Sequence, residues 1–159
     1  MNTEYNERFL LRAVALANTN IEHGSGGPFG AVIVKDGEVI AESGNTVTSD
    51  NDPTAHAEVN VIRAACKVLG HFQLDGCQLY TSCEPCPMCL GAIYWARPDV
   101  VYFAATQKDA ADGGFDDAFI YHEINKSGEQ RKIPFIGKII PEGVQVFKKW
   151  IETEQKINY

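Results

Sequence analysis

His56-Ala57-Glu58, followed 28 residues after Glu58 by Cys86-Pro87-Met88-Cys89 with Pro85 in front, offers one imidazole and two thiolates to a metal and leaves a carboxylate beside them. Thiolate and imidazole donors together favour zinc, and one ion per chain is expected. With only three protein ligands, His56, Cys86 and Cys89, zinc keeps an open position. A water bound there is acidified to a pKa of about 7, which points to hydrolytic chemistry. Glu58, two residues from His56, sits beside the metal without completing its shell and is free to carry protons. The alternative is a closed structural site in which Cys83 joins the other three ligands. That arrangement would exclude water, leave Glu58 without a role, and require a side chain from before the Pro85 helix start to turn toward the pair Cys86 and Cys89.

These residues need helices to carry them and a sheet to hold the helices. Leu10, Ala13, Val14, Ala17 and Ile21 recur at three- and four-residue spacing, which predicts an amphipathic helix over about 4–22. Phe29 to Val34 and Val39-Ile40-Ala41 flank Asp36-Gly37, the signature of a two-residue hairpin turn. After a polar loop, Asp52-Pro53-Thr54 reads as a helix start, with Val59, Ile62, Ala65, Cys66 and Leu69 as its apolar face and Gly70 as its stop. His56 and Glu58 fall in its first turns. A strand at Gln78–Thr81, a helix at Pro85–Ala96 and a strand at Val100–Ala105 imply a parallel pair joined by a right-handed crossover. The i, i+3 spacing of Cys86 and Cys89 sets both sulfurs on one helical face, and helix N-termini stabilise thiolates. A short helix near Ala118–Glu123 and a C-terminal helix bearing Val144, Phe147, Trp150 and Ile151 follow.

The chain has 159 residues, enough for one domain. Its 14 basic and 21 acidic residues give a net charge of −7, which disfavours binding to large nucleic acids because phosphate counterions are displaced by basic faces. Glu4, Glu7 and Arg8 stand where a signal peptide needs an apolar core, and no apolar run has the length of a membrane span, so no membrane association and a cytoplasmic setting are expected. Five cysteines, an odd number, fit metal binding rather than disulfides, with Cys66 and Cys77 as small core residues.

Other side chains carry two readings each. Phe29 and Trp95 suit a stacking wall for a flat heterocycle or ordinary core packing. Asn45, directly after the second strand, has an amide that can read a base edge or settle a turn. Asp116 and Asp117 follow a double glycine and have the composition of a solvated turn, and Tyr159 is the last residue. His23, His71 and His122 lack ligand-spaced partners.

Gly27-Pro28-Phe29-Gly30-Ala31, Pro53-Thr54-Ala55-His56-Ala57-Glu58 and Cys83-Glu84-Pro85-Cys86-Pro87-Met88-Cys89 together resemble the cytidine-deaminase-like zinc deaminases. Trp95-Ala96-Arg97, Gly114-Phe115-Asp116-Asp117 and the terminal tyrosine are similar to the small bacterial guanine deaminases within that superfamily. The resemblance spans essentially the whole chain. It implies an α/β fold, a three-layer α/β/α sandwich around a mixed five-stranded sheet, with residues 1–159 as a single zinc-dependent deaminase domain. It implies zinc on His56, Cys86 and Cys89, Glu58 as proton shuttle, Asp117 as a second catalytic group, and Phe29, Asn45, Ala57, Trp95 and Tyr159 against the substrate. The activity implied is hydrolysis of guanine to xanthine and ammonia, a step of purine breakdown or salvage. The partners implied are a small purine base, water as co-substrate, and a second copy of the chain, with a C-terminal segment of about 144–159 exchanged between subunits of a homodimer. Rival readings are deamination of guanosine, cytidine or another small base, deamination of tRNA adenosine, and a non-catalytic zinc module.

Overall fold

The computed structural model describes residues 4–158, which divide into two units at the junction of Asp117 and Ala118. The first holds the sheet. Helix α1 (Glu7–His23) starts at Asn6, whose side chain accepts from the Arg8 N–H, and stops at Gly24 in the left-handed conformation. Strands β1 (Gly30–Lys35) and β2 (Glu38–Gly44) form the expected hairpin. Its turn residues Asp36 and Gly37 both take positive φ (51° and 79°), the backbone whose twist matches that of the strands.

Helix α2 (Val47–Asp50) is a single turn inside what reads in the sequence as a polar loop. Helix α3 (Ala57–Leu69) ends at left-handed Gly70. Strand β3 (Cys77–Cys83), helix α4 (Pro87–Ala96) and strand β4 (Val100–Ala105) form the crossover unit, with β3 and β4 parallel. Helix α5 (Gln107–Asp112) follows, fixed by reciprocal bonds between Thr106 and Asp109.

Alternation along the strands sends side chains to two layers. Ala31 and Ile33 of β1 join Val61 and Ala65 of α3, Leu79 of β3 and Ile93 of α4 on one face. Val32 and Val34 join Phe9 and Ala13 of α1 and Tyr80 on the other. A strand buried on both faces reads as the continuous apolar run seen in β1. Helices therefore cover both faces of the mixed sheet, and the α/β expectation is met. The strand number is not: the described residues form four strands, in the order β2-β1-β3-β4, rather than five. After β4 the chain continues into helices, and its next apolar stretch, Ile133 to Ile140, is broken by Pro134 and Gly137, which deprive a strand of a donor and of side-chain packing. No helix among the described residues is long and apolar enough to cross a membrane.

The second unit contains α6 (Ala118–Ile124), a 3-10 turn at Gly128–Gln130 and α7 (Pro141–Glu152). Arg131 folds back on α6, donating to the carbonyls of Glu123 and Ile124, and its guanidinium lies over the Phe135 ring. None of its described residues is buried. Phe147 and Ile151 of the α7 stripe are 71% and 70% exposed, with Val144 and Trp150 less so.

Gly30 tests the packing of α1 on the hairpin. A Cβ there would stand 2.3 Å from the Ala13 carbonyl oxygen and 2.6 Å from the Leu16 Cβ, so the helix must move to admit it. Gly30→Ala is expected to cost about 1–3 kcal/mol and lower Tm by several degrees, at about 2–4 °C per kcal/mol, with metal content unchanged. A Tm equal to that of the parent chain would contradict this packing.

Candidate active site

Two helix starts converge on the cluster. His56 occupies the extended position before α3 (φ −69°, ψ 152°) and Cys86 the corresponding position before α4 (φ −67°, ψ 168°). Cys86 is thus a cap rather than a helical residue: its Sγ accepts from the Cys89 N–H at 3.5 Å, which brings the two sulfurs together by a different route from the shared face that spacing suggests. Pro87 at the first position of α4 preorganises the turn.

His56 Nδ1 lies 3.6 Å from Cys86 Sγ and 3.5 Å from Cys89 Sγ, and the three ligand atoms lie within 4.8 Å of one another. Tetrahedral zinc, with Zn–S of about 2.3 Å and Zn–N of about 2.0–2.1 Å, sets S···N separations at roughly 3.5–3.6 Å. The donor set and its spacing therefore fit zinc. Cys83 stays out of the group. Its buried thiol points at the Thr106 carbonyl (3.5 Å), and burial pushes its pKa up to about 11.

The charges are arranged for a cation. The bond from Cys89, together with His56, lowers Cys86 to about 4, while that same bond and burial push Cys89 up. His56 is raised, first by its contact with Cys86. Zinc would displace the remaining thiol proton.

Glu58 is buried, 6% exposed, in the first turn of α3. Its Oε1 accepts from Thr81 Oγ1 at 3.3 Å and its Oε2 from Cys89 Sγ at 3.5 Å. Burial raises its pKa, which is what a group that must both take and give protons requires.

Asn45 is buried at the end of β2, and its Oδ1 accepts the N–H groups of Gly27 (3.2 Å) and Val47 (3.1 Å). The acceptor side of the amide is thereby spent, leaving Nδ2 as the group Asn45 can offer a ligand. This narrows the two-edge reading that its residue type allows. Phe29 is partly buried and meets Phe115 edge to face, with centroids 5.0 Å apart. Ala57, the first residue of α3, has its side chain fully buried in the core, so a ligand could meet only its backbone N–H, which has no partner within the helix. Trp95 lies two turns along α4 from the cysteines, off the buried face of Cys89, Ile93 and Ala96, and is 63% exposed. Asp117 is half-buried. Its carboxyl is raised by burial and then by the Cys86 charge, and its own charge helps raise His56, which brings it within electrostatic reach of the cluster. Tyr159 lies outside the described residues. His23 and His122 are exposed, and His71 stacks on Phe72.

Two supporting residues, Asn60 and Asn20, carry no signal in the sequence, and a third, Phe115, enters it only within the Gly114-Phe115-Asp116-Asp117 stretch. Asn60 of α3 donates to Thr46 Oγ1 (2.9 Å) and to the carbonyls of Gly44 and Ala55 (3.3 Å each), tying down the loop that leads to His56. Asn20 of α1 reaches the loop around Phe29 and Asn45. Phe115 anchors the segment before Asp117 to Phe29. Polar and aromatic contacts between residues far apart in sequence leave no local pattern.

Residues 3–105 match the cytidine and deoxycytidylate deaminase zinc-binding region. The chain is 61% identical to the guanine deaminase of Bacillus subtilis over 96% of its own length and 98% of that protein. The X-ray structure of a Bacillus subtilis guanine deaminase superposes with a TM-score of 0.95 at 60% identity, covering 98% of this chain and 99% of that one. A guanine deaminase from Nitrosomonas europaea is more distant, at 33% identity and a TM-score of 0.67, covering 73% of this chain and 70% of that one. A tRNA-specific adenosine deaminase of Agrobacterium fabrum is 54% identical, but over only 49% of this chain. The chain belongs to the zinc-binding cytidine and deoxycytidylate deaminase family.

Proposed function

We propose that this protein deaminates guanine: guanine and water give xanthine and ammonia. The observation that carries the reading is the match to a guanine deaminase along nearly the full length of both chains, whereas the tRNA deaminase matches cover about half to two thirds of this one. The acidic balance, −7 overall, points the same way, since a tRNA substrate calls for a basic surface.

Zinc, when held by His56, Cys86 and Cys89, acidifies a water toward a pKa of about 7 and so makes a nucleophile available at neutral pH. Glu58 Oε2, next to the Cys89 sulfur, takes a proton from the attacking water as that water adds to the ring carbon bearing the exocyclic amine. Glu58 delivers that proton to the adjacent ring nitrogen, then takes the proton of the hydroxyl now on the ring carbon and passes it to the amine, which leaves as ammonia as the carbonyl forms. Thr81 Oγ1 holds the other oxygen of the carboxylate and keeps the group aimed. Asp117 holds the departing amine, its raised carboxyl suited to proton exchange. The Phe29 and Trp95 rings flank the base, the Ala57 N–H and Asn45 Nδ2 donate to its acceptor atoms, and Tyr159 covers it.

The tail reading is that residues of about 144–159 cross to a second copy in a homodimer, so that each pocket takes its Tyr159 from the partner. It is supported by a terminal unit that buries none of its described residues and by an α7 stripe that needs a surface.

Ammonia release from zinc-loaded protein across guanine, guanosine, cytosine, cytidine, adenine and a tRNA anticodon stem-loop tests the substrate. Guanine should be turned over fastest, and faster turnover of cytidine or tRNA would refute the reading. In the same assay Glu58→Gln should keep about one zinc per chain and lose roughly 10²–10⁴-fold in kcat. Activity within tenfold of the parent would remove Glu58 from the proton path. Asp117→Asn should lower kcat more than it raises KM, and an unchanged kcat would demote it to a turn residue. A chain lacking Lys156–Tyr159 should lose activity while keeping its zinc and its Tm. Mixing it with Glu58→Gln chains should restore turnover if tails act in the partner's pocket, and no restoration would place the tail in its own.

A further inference from the structure

We propose that Asn20, a helix residue outside the pocket, is the positioning residue that holds Phe29 and Asn45 in their substrate-binding geometry. The inference rests on the reading above that those two residues meet the base.

Asn20 lies in the last turn of α1, 8% exposed, with its amide turned away from water. Its Nδ2 donates to the Asn45 carbonyl at 2.8 Å and to the Gly27 carbonyl at 3.0 Å, with the Phe29 carbonyl at 3.5 Å. The same three residues bond to one another. The Gly27 N–H donates to Asn45 Oδ1 at 3.2 Å, and the Asn45 N–H donates to the Phe29 carbonyl at 3.0 Å. One buried amide thus closes a network whose other members are the loop before β1 and the residue after β2.

The surrounding glycines show that the joint is built for close approach. A Cβ on Gly26 would fall 2.1 Å from the Asn45 carbonyl oxygen, and one on Gly44 would fall 2.4 Å from Asn20 Oδ1. Side chains are thereby excluded from both flanks of the joint.

Because Asn45 Oδ1 is already bonded to two backbone N–H groups, the direction of its Nδ2 is set by the same loop that Asn20 secures. Asn20 makes none of the bonds found among His56, Cys86, Cys89 and Glu58. Loss of its amide should therefore weaken substrate binding and leave metal binding and proton transfer in place.

The test is Asn20→Asp, equal in shape but presenting oxygen to three carbonyls, compared with Val34→Ala, which loosens the same helix through the apolar layer. For Asn20→Asp the KM for guanine should rise about tenfold or more, with kcat within about threefold and one zinc per chain. Val34→Ala should lower Tm without moving KM. Amide exchange followed by NMR on the metal-loaded protein gives a readout independent of turnover: the Gly27, Asn45 and Val47 N–H groups should exchange at least tenfold faster in Asn20→Asp. Unchanged KM and exchange would overturn the proposal, as would a fall in kcat at constant KM. Should the aspartate prevent folding, Asn20→Ser, which keeps a shorter donor, should show the same KM-led change and faster exchange to a smaller degree. A parent chain without guanine turnover would defeat the substrate reading alone, and the exchange rates would still decide the role of Asn20.

Discussion

Three ligand atoms must meet within a few ångström although two of their residues lie 30 and 33 positions from the first, and the structure is organised around that constraint. The sheet meets it by delivering two helix starts to one place. Strand β3 ends at Cys83, Glu84 is tied to the end of β4 through the Ala105 carbonyl and to the start of α5 through the Gln107 N–H, and Cys86 then caps α4. Helix α3 reaches the same point over the other strands, with its start secured by Asn60. Errors of an ångström in either helix would open the S···N spacings beyond what a tetrahedral ion tolerates. The buried interior of β1 and β3 is thus as much part of the metal site as the cysteines are.

Given that frame, the placement of Glu58 decides between a structural and a catalytic ion. A carboxylate with so little exposure is costly to ionise unless something nearby favours its charge. Thr81 supplies a hydrogen bond, and a divalent ion on the neighbouring ligands would supply the larger stabilisation. The same position keeps the carboxylate from completing the ligand set, while Cys83, the other group that could close it, is committed to the Thr106 carbonyl.

Much of this was legible in residue spacing because it is local. The hairpin turn at Asp36-Gly37, the apolar stripes of α1 and α3, the strand-helix-strand unit and the three metal ligands all follow from short-range pattern. Four strands follow from the same pattern, and the fifth came only from resemblance. The turn α2 was hidden because a single turn carries no periodicity, although Thr106-x-x-Asp109 at the start of α5 is a readable capping signal. What could not be read is the set of contacts across 7 to 25 positions by which Asn20 fastens the pocket loop, and the commitment of Asn45 Oδ1 to the backbone. Residue type suggests an amide that reads both edges of a base, and only the fold shows that one side is already taken.

The central claim, an open zinc site with three protein ligands, is tested most directly by X-ray absorption at the zinc edge of the metal-loaded protein. The account predicts two sulfurs at about 2.3 Å, one imidazole nitrogen at about 2.0–2.1 Å and a further light-atom ligand that changes when a substrate analogue is added. Three sulfurs in the first shell, with no ligand that responds to the analogue, would mean that Cys83 closes the site and would contradict it.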